Sequence, residues 1–137
     1  RSPLVVADGW AKAAAAGEMS ATFGRIVNSS SKPITVIAAS SPYSEVLQLH
    51  EVVASNGSMV MQQKTGGFTI APGSSFELKP GGNHIMFMKL TKPISAGAMI
   101  PVTLIASDGG RVRVWVLAKV FSGGNETYNG SMSGGMG

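Results

Sequence analysis

The chain has 137 residues, of which 44% are hydrophobic and 13% charged, a composition that excludes a charged, disordered protein. Its net charge of +4 reflects scarce acidic residues, and no basic run with interleaved aromatic residues indicates nucleic-acid binding. No apolar run approaches the roughly 20 residues that span a bilayer, so membrane contact is expected only through an anchor removed from the chain.

Strand signals dominate the first half of the chain. The Ala-rich residues 9–18 predict one or two helical turns at most, because the segment is short and bounded by glycine. Asn56 and Gly57 predict a tight hairpin turn, since both residue types tolerate a positive φ. The predicted strands of this half cover residues 19–28, 34–39, 43–53 and 58–63, with a loop at 28–33.

The second half of the chain predicts further short strands and a terminal tail. Glycine-rich turns at residues 79–83 and 108–110 separate these strands. Eight or nine strands at such spacing predict an all-β fold, an antiparallel β-sandwich with Greek-key connections. The domain is expected to span residues 1–121, and the Gly/Ser/Met-rich residues 122–137 are expected to form a flexible tail. The predicted strands of this half cover residues 67–71, 74–78, 85–90, 99–107 and 111–121.

Two histidines and two methionines form the main candidate site. His50 and His84 are the two histidines of the chain; Met61 follows His50 after ten residues, and Met86 follows His84 after one. Imidazole and thioether groups are neutral, and thioethers select Cu(I) over zinc and hard cations. The four residues therefore predict a copper site.

Strand geometry predicts how the four side chains meet. Residues two apart on a strand share a face, so His84 and Met86 project together while Ile85 points to the core. The turn at residues 56–57 brings His50 and Met61 nearly opposite one another. The alternative interpretation is that the methionines only pack in the hydrophobic core and bind no metal. This alternative concerns Met59, Met61, Met86 and Met88.

Other features of the sequence narrow the function. Arg111 and Arg113 are expected to share one face of a strand. This face is either a surface that binds an acidic partner or an ordinary solvent-exposed face. The chain has no cysteine, which suits a copper site exposed to oxygen. It has no Ser/His/Asp constellation and no paired carboxylates at strand spacing, so an enzyme is not expected.

Several motifs resemble the PCu(A)C family of extracytoplasmic copper chaperones. The similarity covers residues 22–120, and the family's ligand pattern is His, ten residues, Met, about twenty-one residues, then His-x-Met. Here 22 residues separate Met61 from His84, a one-residue difference that we assign to the loop at residues 64–67. The motifs that carry the resemblance are residues 49–51 (LHE), 57–61 (GSMVM), 70–73 (IAPG), 78–86 (LKPGGNHIM) and 101–104 (PVTL).

This resemblance implies a cupredoxin-like β-sandwich that binds one Cu(I) through His50, Met61, His84 and Met86, with the copper exposed near one edge. It also implies delivery to the copper A centre of cytochrome c oxidase subunit II, directly or through a thioredoxin-like Sco copper protein. We expect a monomer located outside the cytoplasm, in the periplasm or at the cell surface.

Two other function classes stay open. One is a periplasmic copper-resistance or storage protein, and the other is a metal-free β-sandwich adhesion or interaction module whose two histidines would lie far apart. Glu51 and Asn83 either hydrogen-bond the ligand imidazoles or are ordinary strand and turn residues. Met132 and Met136 are interpreted as part of the linker, although the two thioethers could bind a second Cu(I).

Overall fold

The computed structural model describes residues 3–121 and the backbone of residues 127 and 128. Within these residues the chain forms β-strands and no α-helix, so the all-β prediction is confirmed. The strands are β1 (Leu4–Lys12), β2 (Ser20–Asn28), β3 (Ile34–Ser40), β4 (Leu47–Ser55), β5 (Ser58–Gln63), β6 (Phe68–Ile70), β7 (Ser75–Leu78), β8 (His84–Phe87), β9 (Met99–Ala106), β10 (Arg111–Lys119) and β11 (Thr127–Tyr128).

The predicted helical turns at residues 9–18 are wrong. Residues 9–12 are the second half of β1, which pairs with β2 on one side and β10 on the other. Gly9 lies at an irregularity of β1 instead of bounding a helix. A Cβ atom on Gly24 of β2 would lie 2.9 Å from the Gly9 Cα, so the two strands approach too closely there for side chains. Tertiary pairing thus overrides the local Ala-rich propensity.

The strands form one continuous hydrogen-bonded path in the order β11-β5-β4-β8-β2-β1-β10-β9-β3-β6, with β7 also paired to β2. Most pairs are antiparallel, but β1 pairs in parallel with β10, and β11 in parallel with β5. The sheet is therefore mixed, and the prediction of a wholly antiparallel sandwich is corrected on this point. Both parallel pairs join strands that are far apart in sequence, which leaves room for the long crossover connection that parallel pairing requires.

Alternating side chains divide β4 and β8 between two apolar groups. Leu49, Ile85 and Phe87 belong to the main core, which includes buried residues of β1 to β4 and β6 to β10. A separate group, here called the outer cluster, contains Met19, Ala21, Phe23, Met61 and Met86, with Trp10, Val52 and Met88 packed against it. The main core closes the sandwich, and the outer cluster lies on the opposite face of the same strands.

The hairpin between β4 and β5 has the predicted turn. Asn56 has φ 51° and Gly57 has φ 80°, so both central residues are left-handed, as a two-residue turn of this kind requires. The turn fixes the pairing of Val52 with Met61 and of His50 with Gln63. It thereby determines which face of β5 meets the histidine.

The predicted flexible tail at residues 122–137 lies outside the described residues, apart from the backbone of β11. Met132 and Met136 also lie outside them, so the choice between linker and second copper site stays a prediction. In the described part of the chain, no helix has the length and apolar character needed to cross a membrane.

Candidate metal centre

His50 and His84 lie side by side on two neighbouring strands. They are directly paired in the register of β4 and β8, and their ring centroids are 5.4 Å apart. The alternative of a metal-free β-sandwich interaction module predicted two histidines that lie far apart, and the observed distance counts against this alternative.

The two methionines lie on the same face as the histidines. Met86 is two residues from His84 and pairs with Gln48, which is two residues from His50. Met61 pairs with Val52, so it lies diagonally next to His50 and not directly opposite it. Met61 and Met86 both belong to the outer cluster. The predicted quartet therefore shares one sheet face, with the histidines in adjacent positions and the thioethers in the same apolar cluster.

Burial distinguishes the named methionine of β5 from its neighbour. Met61 is 1% exposed, whereas Met59, two residues earlier on the same strand, is 54% exposed. This difference favours Met61 over Met59 as the candidate donor. The position of the one-residue difference before His84 stays a prediction.

All four side chains are buried, which contradicts the expectation of an exposed site. His50 and Met86 are 0% exposed, and His84 is 3% exposed. Aromatic rings pack beside them: Phe23 lies 6.0 Å from His84, between ring centroids, and the Trp10 ring lies 4.7 Å from the Phe23 ring, with the two planes tilted by 37°. The resemblance to a family could not reveal this wall, because it depends on residues outside the ligand motif.

Hydrogen bonds define which ring nitrogens present a lone pair. His84 Nδ1 lies 2.9 Å from the Gly82 carbonyl oxygen, which can only accept, so Nδ1 carries the proton and Nε2 presents the lone pair. His50 Nε2 lies 2.9 Å from Gln48 Oε1, so it donates to this oxygen and its buried Nδ1 presents the lone pair. Each imidazole is thus oriented by a second group, as is usual for metal-binding histidines.

The electrostatics of the face keep His50 neutral. Burial, and in second place the neighbouring His84, lower the pKa of His50 from 6.5 to about 4. A neutral imidazole is the form that binds metal, so His50 is ready to act as a donor at neutral pH.

Residues that the sequence did not single out complete the environment. Gln48 orients His50, whereas the carboxylate of the candidate Glu51 accepts a hydrogen bond from Gln62 Nε2 at 3.0 Å. Met19, 5% exposed, adds a third buried thioether to the outer cluster. The spacing of Gln48 from His50 was a usable signal, because residues two apart on a strand share a face.

The donor set suits a soft metal ion. Among residues 3–121, no group of three or more His, Cys, Asp or Glu side chains is placed to hold a metal ion. The face offers two imidazoles and two thioethers in an apolar surround. These features define a candidate soft-metal site in a β-sandwich protein.

Comparison with known proteins identifies the family. Residues 4–118 match the family described as putative lipoprotein LpqE-like, and the chain belongs to this family, which is that of the PCuAC domains. A putative lipoprotein, Lxx21020 of Leifsonia xyli subsp. xyli (strain CTCB07), is 47% identical over 125 residues, covering 91% of this chain and 75% of the relative.

Solved structures agree with this fold. The copper-bound PCuAC domain from PmoF2 is 20% identical, covers 88% of this chain and 95% of its own, and has a TM-score of 0.71. The solution structure of CuI-DR1885 from Deinococcus radiodurans is 27% identical, covers 86% of this chain and 80% of its own, and has a TM-score of 0.59. The predicted family and β-sandwich are confirmed.

Family membership also bears on function. PCuAC domains are copper-binding, chaperone-like domains and not enzymes, so the prediction of a non-enzymatic protein is confirmed and a role in copper binding is supported. Family membership alone does not define which residues bind the copper or which protein receives it.

Proposed function

We propose that this protein is an extracytoplasmic Cu(I) chaperone that binds one copper ion through His50, Met61, His84 and Met86. It delivers the ion to the copper A centre of cytochrome c oxidase subunit II, directly or through a Sco-type copper protein. The observation that carries the proposal is the pairing of the two buried histidines on the face that also holds the two thioethers.

The chemistry of the face favours Cu(I) over divalent ions. Four neutral donors leave the bound ion with its single positive charge, which an apolar surround tolerates better than a double charge. Cu(I) has a filled d shell and accepts a near-tetrahedral set without strict geometry. The lowered pKa of His50 keeps protons from competing for its lone pair at neutral pH.

The location outside the cytoplasm rests on two observations. The Leifsonia relative is described as a putative lipoprotein, which supports an extracytoplasmic, membrane-attached protein. A cysteine-free chain with thioether donors also tolerates an oxidising compartment, since thioethers form no disulfides. We propose a monomer in this compartment.

Competition with a Cu(I) chelator tests the ligand set. The His84→Ala, Met86→Ala double variant is expected to lose Cu(I) affinity, and X-ray absorption of the loaded wild type is expected to give two nitrogen and two sulfur ligands. Unchanged affinity in the double variant would contradict the proposal.

A pair of single variants on β5 provides a matched control. Met61→Leu removes a buried thioether and is expected to weaken Cu(I) binding, whereas Met59→Leu removes an exposed thioether two residues away and is expected to leave it unchanged. The reverse result would assign the ligand to Met59.

Burial of the four donors supports a second candidate, a copper-storage or resistance protein. Side chains that are 0–3% exposed hold a metal away from competing ligands and favour retention. Mixing the Cu(I)-loaded protein with the apo copper A domain of oxidase subunit II distinguishes the two functions: a chaperone transfers copper to this domain, and a storage protein keeps it.

A further inference from the structure

The buried quartet adjoins a surface groove. The groove has a cavity volume of about 470 Å³ and lies where β4 begins and β8 ends. Two of its lining residues reach the metal centre: Gln48 hydrogen-bonds His50, and Met88 packs against the outer cluster. The other residues that line it are Ser44, Glu45, Val46, Lys89, Leu90 and Thr91.

Exposure falls stepwise from this groove to the donors. Along β4 and the residue before it, Val46 is 52% exposed, Gln48 is partly buried and His50 is 0% exposed. These residues are two apart, so they follow one face of the sheet. On the neighbouring strand β8, Met86 is 0% exposed, and Met88, the residue after the strand, is partly buried. Both sets of residues, those in and beside β4 and those in and beside β8, become more buried from the groove towards the candidate ligands.

The groove has a fixed frame. The Met88 N–H donates to the Val46 carbonyl at 3.0 Å, so the two sides of the entrance are joined through their backbones. The buried Ser44 hydroxyl oxygen lies 2.8 Å from the Lys89 carbonyl oxygen and 3.0 Å from the Val46 carbonyl oxygen, and it donates its single proton to the nearer one. An opening held in this way exists before any partner binds.

We infer that this groove is the route by which Cu(I) enters and leaves the buried site, with the incoming soft ligand of a donor or acceptor, a thiolate, thioether or imidazole, as its occupant. This inference rests on the proposed function and adds a path to it. Met88 offers a thioether at the inner end of the groove, where copper exchanges between the incoming ligand and the quartet. No bond other than metal–ligand bonds changes, and copper stays Cu(I) throughout.

The route predicts a purely kinetic effect of blocking the groove. Val46→Trp places a large side chain at the entrance without touching a ligand, so Cu(I) loading and release should slow together and the dissociation constant should stay the same. We expect a slowing of about tenfold or more, the change produced by about 1.4 kcal/mol of added barrier. Stopped-flow mixing of the loaded protein with excess bicinchoninic acid measures release, and mixing of the apo protein with Cu(I) bicinchoninate measures loading.

Val5→Trp is a matched control, because Val5 is 53% exposed and lies at the start of β1, paired with Val27 and away from the groove. Rates that are unchanged in Val46→Trp, or equally slowed in Val5→Trp, would overturn the route. A Val46→Trp variant with a weaker dissociation constant would also overturn it, because the groove would then be part of the binding site. A wild type that binds no Cu(I) would instead contradict the proposed function, and the route with it.

Met88→Leu tests the thioether in the route. Leucine keeps the apolar contact with the outer cluster but removes the sulfur, so both rates should fall at constant affinity. Lower affinity in this variant would make Met88 a ligand of the resting site, and unchanged rates would exclude it from the exchange step.

Discussion

The two faces of β4 and β8 use the same backbone for different purposes. The inner face presents Leu49, Ile85 and Phe87 to the main core, and the outer face presents His50, His84 and Met86. Both faces are buried, but only the outer one carries atoms with lone pairs suited to a metal. Burial alone therefore does not distinguish structural residues from candidate ligands, and the chemistry of the buried atoms does.

The faces also differ in what they tolerate. An inner residue needs volume and apolarity, so another hydrocarbon of the same size can replace it. A residue of the outer face needs a nitrogen or sulfur atom at one position if it is to bind a metal ion. Substitutions that conserve shape but change chemistry should therefore separate stability from copper binding.

The largest effect should come from the inner face. Phe87→Ala removes a fully buried ring from the main core and should lower the free energy of unfolding by about 3–5 kcal/mol. Met86→Leu on the outer face conserves volume and should cost less than about 1.5 kcal/mol, while weakening Cu(I) binding. Urea unfolding and chelator competition on both variants measure the difference. Equal losses of stability would show that the two faces are not distinct.

Acid should weaken the outer face of the metal-free protein. The unfolded chain protonates His50 near pH 6.5, whereas the folded pKa is about 4, so the unfolded state binds more protons between these values. The free energy of unfolding should fall as the pH drops through this window, by roughly 3 kcal/mol in total, and level off below pH 4. Urea unfolding at several pH values measures this slope.

The control for the acid effect is His50→Gln, which keeps a neutral donor but does not titrate. Its unfolding free energy should lack the part of the pH slope that His50 contributes. A variant with the wild-type slope would assign the acid sensitivity to another group.

An intermediate effect is expected from the residue that orients His50. Gln48→Leu removes the oxygen that accepts from His50 Nε2 and should reduce Cu(I) affinity by about 10–100-fold. Nitrogen NMR of the imidazole should show a mixture of tautomers in this variant. Gln62→Leu is the control, because the Gln62 amide donates a hydrogen bond to the Glu51 carboxylate. Similar losses in both variants would argue against a specific role for Gln48.

The smallest effect concerns the turn that sets the register of the outer face. Gly57→Ala places a Cβ on a residue with φ 80° and should lower the free energy of unfolding by about 1 kcal/mol. Gly57→Asn should cost less, because asparagine tolerates the left-handed region. Thermal unfolding compares the two, and equal losses would mean that positive φ is not the cause.

Local patterns in the sequence predicted much of the fold. The boundaries of β5 and the turn at Asn56 and Gly57 agree with the structure, because alternation and turn chemistry are local signals. The first half of β1 escaped notice and its second half was assigned to helix, because its pairing with β10 depends on residues more than a hundred positions away. Parallel pairing of this kind leaves no local trace.

The candidate site was predicted in part. Residue type and two-residue spacing indicated that His84 and Met86 share a face, which the structure bears out. The burial of the quartet could not be predicted, since it depends on how side chains from β1, β2 and β4 pack together. The place of Gln48 beside His50 was within reach, because residues two apart on a strand share a face. The identity of the bound metal and of its ligands stays a prediction.

The aromatic wall beside the candidate metal site joins residues from both ends of the domain. Trp10 of β1 packs against Phe23 and also against Phe121, whose ring centroid is 5.2 Å from that of Trp10, and β1 pairs with β10. The four candidate ligands, in contrast, all lie between residues 50 and 86. During folding, contacts across long stretches of chain close late, because their loops cost the most entropy. A chain that folds in this order brings the four side chains together before the wall covers them, and this face stays open to solvent until β1 and β10 pair.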